Sequence, residues 1–213
     1  MSDESATREA WDAFGASYDQ AFGAPFTTIA EAALRFADVR PGQRLLDVAA
    51  GSGALSIPAA KLGALVLATD LSAVMLGLLR ARAEAAGLSD IRTAVMDGTT
   101  LDLEDETFDR VCSQFGVMLF PDPDAGLREM YRVTAPGGLG VMVIFGQPQH
   151  VVPVWLFGQA IRTALPDVES PPGPRLTTDP LSLEGAMADA GYAEVRLETL
   201  DQRVHVGSAS GAW

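Results

Sequence analysis

Apolar positions first recur at helical spacing. Trp11, Phe14 and Tyr18 lie three and four apart and predict a helix over residues 5–22. Phe26, Ile29, Ala33 and Phe36 predict a second helix over 26–37. "RPGQ" at 40–43 reads as a turn. The pattern then changes. "RLLDVAA" is a short apolar strand, followed by glycines at 51 and 53 and a helix running to about Leu62. "LVLATD" (65–70) is a strand, and the helix after it is capped by Ser72 and stopped by Gly87. "IRTAVMD" (91–97) is a third strand, "LDLEDETFD" an acidic loop and "RVCSQF" (110–115) a fourth strand. "DAGLREMYRVTAPGG" predicts a helix with a Pro-Gly-Gly stop, and "LGVMVIFG" (139–146) a fifth strand, apolar throughout as a central buried strand would be.

Five strands alternating with helices argue a doubly wound, mostly parallel α/β sheet. Residues 147–180 break the rhythm. Seven prolines surround one helical piece, "VWLFGQAIRTAL", which reads as a lid over the ligand edge of the sheet. A helix at 181–192 and a strand region, "AEVRLETLDQRVHV", follow. No internal repeat is present. The expected organisation is a single domain over 1–213: a helical cap at 1–40, a core at 41–146, a lid or substrate insertion at 147–180, and a last helix and strand at 181–213.

Charge narrows the partners. The formal net charge is −13, and Lys61 is the sole lysine. A chain this acidic repels phosphate backbones and anionic lipid, so neither a nucleic-acid nor a membrane partner is expected. The polar N-terminus is unlike a signal peptide, and no apolar run reaches the roughly 20 residues that span a bilayer. A cytoplasmic protein is expected. Cys112 is the only cysteine, which rules out an intrachain disulfide and cysteine-rich metal sites. In its apolar run it reads as a buried small hydrophobe. No metal is expected.

In an open parallel sheet, ligands sit beyond the carboxyl ends of the strands. Those ends carry Asp47, Asp70 and Asp97 on the first three strands, and Ser113 and Gln114 on the fourth. Each acid alone has a plain structural role available, as a turn residue or a helix cap. Their recurrence at successive strand ends points to a ligand with hydroxyl and amine donors. "GSGALS" matches the dinucleotide fingerprint G-x-G-x-x-G only in part, with Ser56 at the third glycine position. A pyrophosphate beside that turn would be opposed by Asp47, whereas a cationic sulfonium would be favoured.

With these residues in place, the chain resembles a class I S-adenosylmethionine-dependent methyltransferase of the ubiquinone/menaquinone-biosynthesis type. The matching stretches are "LLDVAAGSG", "LATDLSAVML", "AVMDGTTLDLEDETFDRVCSQFGVMLFPD" and "REMYRVTAPGGLGVMVIF", spanning about residues 44–145 in order. The resemblance implies a Rossmann-like fold. It also implies S-adenosyl-L-methionine as cofactor, with S-adenosyl-L-homocysteine as product. Asp47 and the backbone of Ala49, Gly51, Ser52 and Gly53 would hold the methionine part. Asp70 would take the ribose hydroxyls, and Leu71 and Met75 would pack on the adenine. Asp97 and the Gly98 backbone would meet the adenine edge. Ser113 and Gln114 would lie near the methyl group, and Tyr18 would cover the cofactor.

Methyl transfer needs alignment and exclusion of water more than it needs an acid. If the acceptor requires a base, His150 at the start of the lid is the candidate, ahead of His205. The stretch "SQFGVMLFPD" lacks the Asn/Asp-Pro-Pro-aromatic motif of amide and adenine N-methyltransferases. One cysteine is too few for an arsenic methyltransferase. The expected acceptor is a small, fairly apolar molecule methylated on oxygen or carbon ahead of nitrogen. Val154, Trp155 and Phe157 of the lid are candidates for its pocket. Members of this family usually carry a seventh, antiparallel strand. Here the chain stops at "GSASGAW", and that strand is expected to be missing. The sheet edge would then be completed by the last strand or by a second copy in a homodimer. Two other readings stay open: an NAD(P)-dependent oxidoreductase, and a non-catalytic protein that binds S-adenosylmethionine.

Overall fold

A computed structural model describes residues 3–146 and 180–201; within them, the side chains at 3, 4, 6, 14–25, 180 and 181 lie outside the description. Residues 147–179, where a lid is expected, and the stretch from 202 onward, with His150, Val154, Trp155, Phe157 and His205, also lie outside the described residues.

Five strands form one sheet: β1 (Arg44–Val48), β2 (Leu65–Asp70), β3 (Ile91–Val95), β4 (Phe108–Gln114) and β5 (Thr134–Val143). Their spatial order is β3-β2-β1-β4-β5, and every pairing is parallel. The chain winds outward from β1 to β3, then crosses back to lay β4 on the other side of β1. The strand order therefore reverses between β1 and β4, which opens a crevice at their carboxyl ends.

The period-two side-chain alternation of β1 divides the core. Leu45 belongs to a cluster with Ala59, Val66, Leu76 and Leu79, built under α1 (Asp3–Phe36), α2 (Ser56–Lys61) and α3 (Ala73–Ala85). Leu46 and Val48 join the opposite cluster with Phe108, Leu127, Met130 and Met187, under α4 (Pro123–Val133) and α5 (Pro180–Ala190). Leu45 and Leu46 are both fully buried, worth about 1.5–3 kcal/mol each in apolar transfer.

Local signals account for most boundaries. Ser72 caps α3, its hydroxyl accepting from the Met75 N–H at 3.1 Å, and Gly87 follows the helix in a left-handed conformation (φ 67°). Asp122 caps α4 through the Ala125 N–H at 2.9 Å, and Pro123 occupies the first helical turn.

Three expectations are corrected. The two N-terminal helices are one: α1 runs without interruption from Asp3 to Phe36, through Gly23 and Pro25. Pro25 lacks the N–H that would bond residue 21, and contacts on either side of it hold the rod together. Asp12 accepts from the Ser72 hydroxyl at 2.5 Å, and the Phe26 carbonyl accepts from the Gln114 amide at 2.9 Å. The helix expected to reach the Pro-Gly-Gly stop ends instead at Val133. Thr134 turns its hydroxyl back onto the Met130 carbonyl at 2.6 Å, and "TAPGG" enters β5 through a register shift opposite Phe108 and Arg110. After α5, the described residues 193–201 form no strand.

Buried Arg110 welds the far end of α1 to the sheet. It donates to the Ala37 carbonyl at 2.5 Å and the Asp38 carbonyl at 3.3 Å, where the helix presents its unsatisfied carbonyls.

Candidate functional site

A cleft of about 440 Å³ lies at the carboxyl ends of β1, β2, β3 and β4, roofed by Thr7, Trp11 and Phe26 of α1. A second, more open depression of about 480 Å³ lies at the opposite end of the sheet, between turns rich in glycine and proline, and is lined by Gln43, Asp109 and Arg110. It lacks the converging acids of the strand-end cleft.

Asp47 is 1% exposed and its carboxylate accepts from the Ser56 hydroxyl at 2.5 Å. Burial pushes its pKa up to about 7 against that hydrogen bond, with the Asp70 charge adding to the rise. Asp70 serves as a staple. One oxygen accepts from the Gly51 N–H and the other from the Ser72 N–H, both at 2.8 Å, tying the end of β2 to the glycine turn and to the cap of α3. Burial raises its pKa as well, opposed by those two backbone donors and reinforced by Asp12. Asp97 accepts from the Thr99 N–H and hydroxyl, each at 2.8 Å, and so is fixed at the far wall. Asp122 also reaches the cleft, and no Lys, Arg or His is among the described lining residues.

The backbone bends sharply where β1 and β4 end. Ala49 (φ 57°) and Phe115 (φ 59°) both take the left-handed conformation, which costs a non-glycine residue about 1–3 kcal/mol. The two strand ends meet at Gly116, where a Cβ would lie 2.4 Å from the Cβ of Ala49 and 2.9 Å from the Ser113 hydroxyl. Behind the glycine turn, Arg82 of α3 approaches the Ser52 carbonyl and hydroxyl at 3.4 and 3.3 Å.

On the β4 side the wall is aromatic. The rings of Phe26 and Phe115 are 4.6 Å apart, and Phe145 stacks on Phe115 at 4.2 Å. Gln114 donates its amide N–H to the Phe26 carbonyl, while its Oε1 is buried with no hydrogen-bond partner among the described residues.

Of the residues singled out in the sequence, Asp47, Ala49, Gly51, Ser52, Asp70, Leu71, Met75, Asp97, Gly98 and Gln114 all line this one cleft. Gly53 and Ser113 do not. Gly53 is packed so that a Cβ would sit 2.7 Å from Leu79, and the Ser113 hydroxyl is spent on the Val48 carbonyl at 2.9 Å and the Val117 N–H at 3.2 Å. Tyr18 stands on α1 with its side chain outside the described ones.

Sequence reasoning missed Thr7, Trp11, Phe26, Phe115 and Phe120, which complete the walls. For Phe115 and Phe120 the signal was present, because Phe115 directly follows the end of β4 and Phe120 lies six residues beyond it. For Trp11 and Phe26 it was hidden, since an aromatic on an amphipathic helix reads as core. Among the described residues, no group of His, Cys, Asp and Glu is placed to hold a metal ion, and no helix is long and apolar enough to cross a membrane.

A model of the methyltransferase domain matches residues 45–138. The demethylmenaquinone methyltransferase of Corynebacterium kroppenstedtii is 35% identical over 164 residues, covering 74% of this chain and 68% of that protein. The Streptomyces griseus enzyme of the same name is 42% identical over 111 residues, 52% of this chain and 46% of its own length. An uncharacterised Mycobacterium tuberculosis protein is 46% identical over 107 residues, 50% of this chain and 39% of its own length. The chain thus spans less than half the length of two of these three relatives. Among solved structures, a Thermotoga maritima SAM-dependent methyltransferase superposes with a TM-score of 0.61 at 19% identity, covering 86% of this chain and 80% of that one. That likeness concerns the fold alone.

Proposed function

Because the chain belongs to the class I S-adenosyl-L-methionine-dependent methyltransferases, in the branch of the demethylmenaquinone methyltransferases, we propose that its strand-end cleft binds S-adenosyl-L-methionine and that the protein transfers the methyl group to oxygen or carbon of a small, fairly apolar acceptor. The observation that carries this reading is the charge of the cleft. Asp47, Asp70 and Asp97 converge at three adjacent strand ends, and the N–H of Gly51 in the glycine turn is already given to the Asp70 carboxylate. A nicotinamide dinucleotide would bring a pyrophosphate to that turn and find an acid in the place of a free amide. A cationic cofactor with hydroxyl and amine donors fits the same groups.

When bound, the cofactor supplies an electrophilic methyl on a sulfonium and leaves as S-adenosyl-L-homocysteine. The chain's own residues hold and align. Asp70, fixed by two backbone donors, offers its remaining lone pairs to the ribose hydroxyls. Leu71 and Met75 form the apolar wall for the adenine, and Asp97 with the Gly98 backbone faces its edge. Asp47 and the turn from Ala49 to Ser52 hold the methionine end. Tyr18 is assigned to the cover. Trp11 and Phe26 on α1 exclude water from the reacting end, which sharpens every electrostatic contact inside. Proximity and alignment carry the rate, and His150 is the base where the acceptor needs one. Residues 41–146 form the cofactor-binding core of a single domain, with 147–180 as the lid.

Calorimetry with S-adenosyl-L-methionine, S-adenosyl-L-homocysteine and NAD tests the reading. Asp70→Ala is expected to weaken binding of either sulfur ligand by about 1–3 kcal/mol through loss of a charged hydrogen-bond acceptor. Binding of NAD with no response to S-adenosyl-L-homocysteine refutes it.

A further inference from the structure

A ligand with an amino-acid end brings two charges to the glycine turn, an ammonium and a carboxylate. The described wall of the cleft suits the first far better than the second. It carries Asp47, Asp70, Asp97 and Asp122, and none of the described lining residues is Lys, Arg or His. Much of the turn's backbone is committed as well. The N–H of Ala50 donates to the Thr69 carbonyl at 2.9 Å, that of Gly51 to Asp70 at 2.8 Å, and that of Gly53 to the Ala50 carbonyl at 3.0 Å. Unopposed, the acids would repel a carboxylate.

The opposing charge comes from behind the turn. Leu79 and Arg82 lie three apart on α3 and share one face of it. Leu79 packs against the turn so closely that a Cβ on Gly53 would lie 2.7 Å from it. The same face carries the half-buried Arg82 to the turn, where Nη1 donates to the Ser52 carbonyl at 3.4 Å and to its hydroxyl at 3.3 Å. Ser52 is itself part of the cleft wall. Arg80, two residues earlier and on another face, donates instead to the Thr93 hydroxyl of β3 at 2.9 Å. The turn is therefore strung between opposite charges on adjacent residues: the Asp70 carboxylate on Gly51 and the Arg82 guanidinium on Ser52. That polarity matches a zwitterion, whose ammonium is favoured toward Gly51 and whose carboxylate is favoured toward Ser52.

Resting on the methyltransferase reading above, we propose that Arg82 is a positioning residue for the cofactor: it holds the Ser52 end of the glycine turn and sets a positive potential there, so that the cleft selects S-adenosyl ligands that bear the amino-acid carboxylate. Arg82 does not line the cleft and acts through Ser52. Its charge is partly screened by solvent, and a charge in that position changes the binding of a carboxylate by about tenfold.

The test uses the full chain and two ligands that differ only in that group: S-adenosyl-L-homocysteine and its decarboxylated form, S-adenosyl-3-thiopropylamine. Affinities are read by calorimetry at one ionic strength, and urea unfolding checks that each variant folds. The wild type is expected to bind S-adenosyl-L-homocysteine about tenfold more tightly than the decarboxylated ligand. In Arg82→Gln, which removes the charge, the preference falls to within about twofold, through weaker binding of S-adenosyl-L-homocysteine. In Arg82→Lys, which keeps the charge, the preference stays above about fivefold. If Arg82→Gln weakens both ligands by the same factor, Arg82 only supports the fold of the turn and the assignment is overturned. A preference that Arg82→Gln leaves unchanged overturns it too. Equal binding of the two ligands to the wild type overturns it whatever the variants do. Binding of neither ligand to the wild type removes the methyltransferase reading, and the role of Arg82 with it, whereas binding of both with a ratio indifferent to Arg82 removes that role alone.

Discussion

Replacing Asp47 with asparagine should stabilise the free protein at neutral pH, by an amount that depends on pH in a defined way. The carboxyl is fully buried, and its pKa rises from 3.8 to about 7 because burial, reinforced by the Asp70 charge, outweighs the hydrogen bonds from the Ser56 side chain and backbone. The unfolded chain ionises this group near 3.8, so keeping it in the fold costs nothing below that pH. The cost grows as pH climbs from about 4 to 7 and then stays constant. Its ceiling is about 4 kcal/mol above pH 7, and at pH 5 it is less than half of that. Asparagine keeps an oxygen for the Ser56 hydroxyl and carries no charge, so it removes the cost. Urea unfolding of wild type and Asp47→Asn at pH 5 and pH 8, without ligand, reads the difference directly. The advantage of the variant should widen by about 2–3 kcal/mol between the two pH values. The same change should weaken S-adenosyl-L-methionine more than S-adenosyl-L-homocysteine, because only the former is cationic at sulfur. A stability difference constant within about 0.5 kcal/mol from pH 5 to pH 8 would show that Asp47 is ionised in the folded protein throughout, and the argument would fail.

Two further outcomes follow from geometry. Ser72→Ala removes the cap on the Met75 N–H and the bond to Asp12, and should cost about 1–2 kcal/mol in a thermal melt; hydrogen exchange of α1 around residues 7–12 should quicken with it, and unchanged exchange there would remove Asp12 as an anchor of the helix. Gly116→Ala places a Cβ 2.4 Å from that of Ala49, so it should destabilise by about 1–3 kcal/mol and lower ligand affinity, whereas Gly87→Ala, with nothing within 4 Å, should cost only the strain of its left-handed φ and leave binding intact; equal effects on binding would detach Gly116 from the site.

The sheet was legible because its strands are short apolar runs with acids at their ends. β2 falls on 65–70 as read, and Ser72 caps α3 as read. The carboxyl-end rule then led from the strands to Asp47, Asp70, Asp97 and Gln114, and the family resemblance to Ala49, Gly51, Ser52, Leu71, Met75 and Gly98, all in one cleft. What stayed hidden depended on contacts distant in sequence. Nothing near Pro25 announces that α1 continues through it, since the bonds flanking it come from Ser72 and Gln114, 60 and 88 residues away from their partners. The end of α4 was misread because Gly137 and Gly138 look like a helix stop, while here they belong to an irregular start of β5. Asp47 was read as facing a ligand, yet its carboxylate is held by Ser56, a serine that sequence reasoning weighed only as a missing glycine.

One structural feature bears on the order of events in the cleft. A single helix supplies both the Asp12 contact beside the acids and the Phe26 contact beside the aromatic wall, about 21 Å apart along its axis at 1.5 Å per residue. The acidic and aromatic sides of the cleft share one continuous beam as their roof. Lifting it on one side strains the fastening on the other, so opening of the two sides should be geared together.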